Sequence, residues 1–152
     1  MFFIANHPIY NHPLPEGHRF PMLKYELLPK QLLHEGTAEC TDFYSPDSID
    51  LSLVHAVHTV SYVKALTELT LDAKAVRSIG FPLSAALVER ELRIAQGTVV
   101  GCNHALENGI AFNIAGGTHH AFSDRGEAFC LLNDQAIAAQ YLINQKKCHK
   151  IL

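Results

Sequence analysis

Residues 84–117 read SAALVERELRIAQGTVVGCNHALENGIAFNIAGG, and this stretch decides the fold class. Ser84 is a capping residue whose side-chain oxygen can accept an N–H of the first helical turn. From there Leu87, Val88, Leu92, Ala95, Val99, Cys102 and Leu106 step by threes and fours, which makes one apolar helical stripe. Gly97, Gly101 and Ala105 fall four apart, so one face suits close packing against a neighbour. Gly109 stops the helix. Residues 110–115 are then apolar on both alternating faces, as a strand covered by helices on both sides should be, and Gly116-Gly117 turn the chain out of it.

The same alternation extends outward. Phe2-Phe3-Ile4-Ala5 reads as a buried strand closed by Asn6 and Pro8, and the proline-rich loop from His7 to His18 reads as irregular. Pro21 opens a helix through Leu23, Leu27 and Leu28, which Pro29 should kink or split before Leu32 and Leu33, and which Gly36 ends. Ile49, Leu51 and Leu53 alternate with Asp50 and Ser52, the pattern of a short half-buried strand or of a loop. Thr59 caps a helix carrying Val60, Val63, Leu66 and Leu69. Asn133 and Asp134 cap another with Ile137, Ala138, Tyr141 and Leu142, ending near Lys146 and Lys147. Ile151-Leu152 look like the opening of a further strand. Strand–helix alternation argues an α/β fold with a largely parallel sheet.

Composition narrows the class. At 152 residues and 48% hydrophobic content the chain is about one domain and too apolar for disorder. A formal charge of -3 offers no basic field to a phosphate backbone, which argues against nucleic acid as a partner. No apolar run approaches the ~18 residues of a membrane span, and the start lacks the basic residues of a signal peptide. Four cysteines at 40, 102, 130 and 148 without a CxxC pair suit a reduced cytoplasmic protein. Ten histidines stand out, because His is the usual metal ligand and proton carrier near neutral pH.

The site-like constellation directly follows the strand at 110–115: Gly116-Gly117-Thr118-His119-His120. Ligands of open α/β sheets gather beyond the carboxyl ends of the strands. There two adjacent imidazoles can divide labour, one taking a proton from an attacking water while the other assists. Solvated rings satisfied by backbone bonds are the competing reading. Phe129 and Cys130 stand just before a helix cap, where the aromatic lines a channel or simply fills core. His7, His12 and His18 could be drawn as a three-His zinc site, a weaker rival; His55, His58, His104 and His149 read as structural or solvated.

Residues 115–134, AGGTHHAFSDRGEAFCLLND, resemble the double-histidine and Gly-Phe-Cys-x-x-Asn-Asp segments of the histone deacetylase family, which includes acetoin-utilisation proteins and acetylpolyamine amidohydrolases. Weaker agreement runs through VHTVSYVKAL at 57–66, IGFPLSAALVERELRIAQGTVVG at 79–101 and ALENGIAFNIAGG at 105–117. The resemblance implies an arginase-like three-layer α/β fold with a mainly parallel sheet. It implies zinc-dependent hydrolysis of an N-acetyl amide of acetyl-lysine or a polyamine. His119 and His120 would be the catalytic pair, Phe129 a wall of the acyl-lysine channel, and Gly117 and Cys130 the border of the pocket. Two departures stand out. Ala128 replaces the family's usual Gly, and no Asp-x-Asp-x-His zinc segment is present. Residues 1–152 are therefore expected to be the N-terminal portion of one catalytic domain, stopping before the zinc-ligand strand and binding no zinc alone. The alternative is a non-catalytic module. Either way, a surface meant for missing elements should be covered by self-association or a companion fragment.

Overall fold

The computed structural model describes residues 2–152. Three strands, β1 (Ile4–Ala5), β2 (Phe43–Tyr44) and β3 (Phe112–Asn113), form a parallel sheet in the order β2-β1-β3. Six α-helices accompany it: α1 (Lys24–His34), α2 (Leu51–His55), α3 (Val60–Thr67), α4 (Ala73–Ile79), α5 (Ala85–Asn108) and α6 (Asp134–Asn144). The α/β class with a parallel sheet is as the sequence indicates. The chain leaves β1 toward one neighbour and returns on its other side as β3, so the carboxyl ends of β1 and β3 flank a topological switch point.

Helix α5 is the scaffold. Ser84 Oγ accepts from Leu87 N at 3.1 Å, and Gly109 takes the C-terminal position with φ +92°. Its small-residue face meets the sheet: a Cβ on Gly97 would lie 2.9 Å from Ala5 Cβ and 3.0 Å from Tyr10 Oη, a clash that only glycine avoids. The core joins Leu87, Ile94 and Val99 of α5 to Val63 and Leu66 of α3 and Ile137 and Ala138 of α6. Helix α5 also buries charge the apolar stripe did not announce. Arg90 pairs with Glu91 and donates from Nε to Tyr10 O at 2.9 Å, and burial pushes the Glu91 carboxyl up.

Several segments depart from the sequence-based expectations. Residues 51–55 are helical, because Asp50 Oδ1 caps Ser52 N at 2.8 Å; three alternating residues imitate a strand without sharing a buried face, Ile49 being buried and Leu51 exposed. Helix α1 continues through Pro29 and begins at Lys24 rather than Pro21. It buries only Tyr25, while Leu23, Leu27, Leu28 and Leu33 are exposed. The loop after β1 contains a 3-10 turn, Pro8–Tyr10, capped by His7 Nδ1. Val60 is exposed, and Leu69 lies past the end of α3. Helix α4 adds an element to the sequence-based expectation: Asp72 Oδ1 caps Ala75 N at 2.8 Å and Gly80 closes it with φ +84°. Ile151 and Leu152 form no strand.

Strand β3 is shorter than residues 110–115 suggest, and helices cover it on one face. Phe112 is 50% exposed, and Phe2 and Ile110 are also open. Together with Ile4, Leu28, Leu32 and Ile114, Phe2 and Phe112 line an apolar groove of about 350 Å³.

Candidate functional site: the tandem-histidine loop

The loop after β3 is held by the N-terminus of α6. Asp134, only 1% exposed, accepts Gly117 N at 3.0 Å, Thr118 N at 2.7 Å, Thr118 Oγ1 at 2.8 Å and Thr98 Oγ1 at 2.5 Å. Its own N–H donates to Thr118 Oγ1 at 3.3 Å. Both glycines are required by this geometry. A Cβ on Gly116 would sit 3.0 Å from Asn113 Cβ and 3.1 Å from Asp134 Oδ2, and Gly117 has φ +91°. Asn133 works on the other flank. Its Oδ1 caps Ala136 N at 3.0 Å while its Nδ2 donates to His119 O at 3.3 Å and Ala121 O at 3.2 Å.

The two imidazoles emerge from this loop at the carboxyl end of β3. Both are exposed, with ring centroids 4.3 Å apart. His119 Nδ1 lies 2.8 Å from Gly117 O. A carbonyl oxygen only accepts, so Nδ1 carries the hydrogen and a neutral His119 presents Nε2 as its free lone pair. Such an arrangement can take a proton from a water or return one to a leaving group.

Phe129 is positioned by other elements. Ala128 N donates to Ser78 O at 3.0 Å and Phe129 N to Ile79 O at 2.7 Å, so the segment satisfies carbonyls at the end of α4. Ala128 and Phe129 adopt φ +49° and +68°, which explains physically why glycine is the easier residue at 128. The half-buried Phe129 ring packs against Phe20 and Phe81, both with centroids at 5.0 Å, and edge-on to His18. Gly80 leaves room for it, since a Cβ there would lie 2.9 Å from the ring. The Arg19 guanidinium lies over the exposed side of the same ring, 4.9 Å from its centroid. Cys130 is buried against the His120 backbone, and burial pushes its thiol up, so the sulfur stays protonated rather than acting as a thiolate nucleophile. Gly117 stays at the base of the loop, on the Asp134 carboxylate.

The remaining histidines have structural partners or solitary positions. His18 Nε2 donates to Gly80 O at 2.8 Å and its Nδ1 accepts from Phe20 N. His7 caps the 3-10 turn and His12 is buried, so the N-terminal trio does not converge on one ion. Among the described residues no three His, Cys, Asp or Glu form a group that could hold a metal. His58, read from sequence as structural or solvated, is buried with Nε2 accepting Asn133 N at 3.0 Å, and burial pushes its pKa down. Its neighbour Thr59 donates its N–H to Ser123 O at 2.8 Å. The contributions of Asp134, Asn133 and His58 to the site were missed; Asn133 and Asp134 signalled only a helix cap.

Comparison with known proteins matches these features. A histone deacetylase domain model covers residues 18–152. An uncharacterized protein of Picosynechococcus sp. is 44% identical over 151 residues, 99% of this chain and 50% of that protein. The acetoin utilization protein AcuC of Bacillus subtilis is 33% identical over 105 residues, 64% of this chain and 27% of AcuC. The structure of an HDAC homolog from Aquifex aeolicus superposes with a TM-score of 0.78 at 22% identity, covering 95% of this chain and 41% of that one. An HDAC homolog complexed with SAHA gives 0.79 at 22% identity, with the same coverage of 95% and 41%. The chain spans about half the length of the Picosynechococcus relative and less of AcuC. With the double-histidine segment and its Phe-Cys partner inside the matched span, the chain belongs to the histone deacetylase family.

Proposed function

We propose that these residues form the proton-transfer part of a hydrolase of N-acetyl amides, acting on acetyl-lysine or an acetylated polyamine and releasing acetate and a free amine. The observation that carries this reading is the 2.8 Å contact of His119 Nδ1 with Gly117 O, because it leaves Nε2 open at the carboxyl edge of the sheet. One ring of the His119/His120 pair takes a proton from the attacking water and gives it to the departing amine, while its neighbour assists. Phe129 walls the acyl-lysine channel, and Gly117 and Cys130 border the pocket. The test is acetate release from an acetyl-lysine peptide and from an N-acetyl polyamine by the family domain that carries these residues. His120→Ala lowers the rate by about 10²–10⁴-fold with an unchanged melting profile. Full activity in that variant refutes the role.

The family is generally zinc-dependent. The residues present do not fit a zinc site: no candidate group exists among the described residues, and the 152 residues contain no Asp-x-Asp-x-His segment. We assign zinc to other segments of the family domain, and expect this chain alone to bind none and to release no acetate.

A second reading, a non-catalytic module acting through self-association or a companion fragment, is favoured by the open apolar groove beside β1 and β3. Light scattering with metal analysis tests it. Self-association without zinc supports it, and a monomer carrying one equivalent of zinc contradicts both this reading and the assignment of the metal elsewhere. The four free cysteines favour a cytoplasmic setting, and no helix of the described residues is long and apolar enough to cross a membrane.

A further inference from the structure

Two of the four cysteines stand on segments that pack together. Cys102 is half-buried on α5, and Cys148, also half-buried, follows the end of α6. Helix α6 closes in a Schellman turn: Lys146 N donates to Ile143 O at 2.9 Å and Lys147 N to Leu142 O at 3.0 Å, with Lys146 at φ +55°. The turn sends the chain back against α5. There Lys147 Nζ donates to Asn103 Oδ1 at 2.5 Å, and Asn103 Nδ2 donates to Tyr141 Oη at 3.5 Å. Asn103 and Lys147 are the chain neighbours of the two cysteines, so their contact sets Cys148 beside Cys102. Burial first, then Asp134 and the nearby Cys148 sulfur, hold the Cys102 thiol above its ordinary range. Residues 148–152 belong to no helix or strand, so no ladder of backbone bonds resists the approach that a bridge, with its Cα atoms within about 7 Å, requires.

We infer that Cys102 and Cys148 form a reversible disulfide that ties the end of α6 to α5. The oxidant is a small anionic disulfide of the oxidised-glutathione class, whose carboxylates suit Lys146, Lys147 and Lys150 around Cys148. Drawn there, it is attacked by the Cys148 thiolate, which breaks its S–S bond and releases one small thiolate. The Cys102 thiolate then attacks the Cys148 sulfur of the mixed disulfide and expels the second. Two protein thiols are oxidised, one small disulfide is reduced to two thiols, and the protons of the cysteines pass to the released thiolates. A reducing compartment keeps the pair open, and an oxidising shift closes it. The closed loop, residues 102–148, contains β3, the tandem-histidine loop, Phe129 and α6. The bridge therefore restrains the unit that carries the candidate site, whatever reaction that site serves.

The experiment treats the whole chain with oxidised glutathione, blocks the remaining thiols, digests with trypsin and maps the peptides by mass without reductant. Each cysteine falls on its own tryptic peptide, Cys102 on residues 94–125 and Cys148 on residues 148–150. The expected product joins these two peptides, comes from a chain that runs as a monomer on a non-reducing gel, and separates on adding dithiothreitol. Closing a loop of this length should raise the melting temperature by about 5–10 °C. Cys148 lies outside every helix and strand, so Cys148→Ser should fold as the reduced chain does and should abolish the rise. Glutathione adducts on single cysteines without the joined peptide overturn the inference. So does a joined pair that includes Cys40 or Cys130, a bridge between two chains, or a rise that persists in Cys148→Ser.

Discussion

The two halves of the family motif, the loop at 116–122 and the segment at 127–130, lie within fifteen residues of each other and are held by opposite means. The histidine loop hangs on side-chain hydrogen bonds from the N-terminus of α6, centred on one buried carboxylate. The phenylalanine segment hangs on backbone bonds to the carbonyls ending α4, on aromatic packing, and on two residues with positive φ. A hydrogen-bond clamp fixes the course of the backbone, whereas aromatic packing fixes a surface.

The contrast breaks most sharply at Asp134. Replacing it by Ala leaves the two buried donors of Thr118 and the part-buried Gly117 N without that acceptor, at about 1–3 kcal/mol for each buried donor, so urea denaturation should show a loss of at least about 2 kcal/mol. A loss below 1 kcal/mol would mean that water replaces the carboxylate. Phe129→Ala should cost about 2 kcal/mol, less than the ~3–5 kcal/mol of a fully buried Phe, because Phe129 keeps one side toward Arg19 and solvent. A loss within the full core range would make the ring plain core.

His58 sharpens the comparison through pH. Burial holds its pKa below 6.5, so above that value both folded and unfolded chains carry a neutral ring. As pH falls below it the unfolded chain binds the extra proton first, and stability is lost, by up to about 1.4 kcal/mol per pH unit for one proton. His58→Gln, which retains an acceptor for Asn133 N, should flatten that slope in denaturation curves between about pH 6.5 and 5. His7 and His12, also lowered by burial, leave a residual slope. An unaltered slope would show that His58 does not titrate with unfolding. The smallest effect is at Ala128. Glycine there relieves about 1–2 kcal/mol of left-handed strain and costs about 0.5–1 kcal/mol of chain entropy, for a net gain of about 0.5–1 kcal/mol. A lower melting temperature in Ala128→Gly would show that the backbone strain is not what favours glycine.

What was legible in the sequence follows the same physical division. Helices α3, α5 and α6 were readable because Thr59, Ser84 and Asn133 cap them and their apolar residues recur at helical spacing. Helix α2 was not, since five residues are too few to separate a helical from an alternating pattern. Helix α4 has Asp72 and Gly80 at its ends, but its apolar face is only Ala75, Val76 and Ile79, too short to establish a helical period. The exposure of Phe112 was hidden because apolar residues on both faces of a strand read as burial on both. At the site, His119, His120 and Phe129 were visible as motif residues. The clamp was not, because its bonds link His58, residues 117–121 and Asn133-Asp134, brought together only by the fold.

The central claim is that a backbone carbonyl holds His119 with Nε2 open. Long-range ¹H–¹⁵N correlation of the His119 ring in the wild-type chain tests this most directly. The geometry requires a protonated Nδ1 and a bare Nε2. A ring found mainly with its hydrogen on Nε2 would contradict the account.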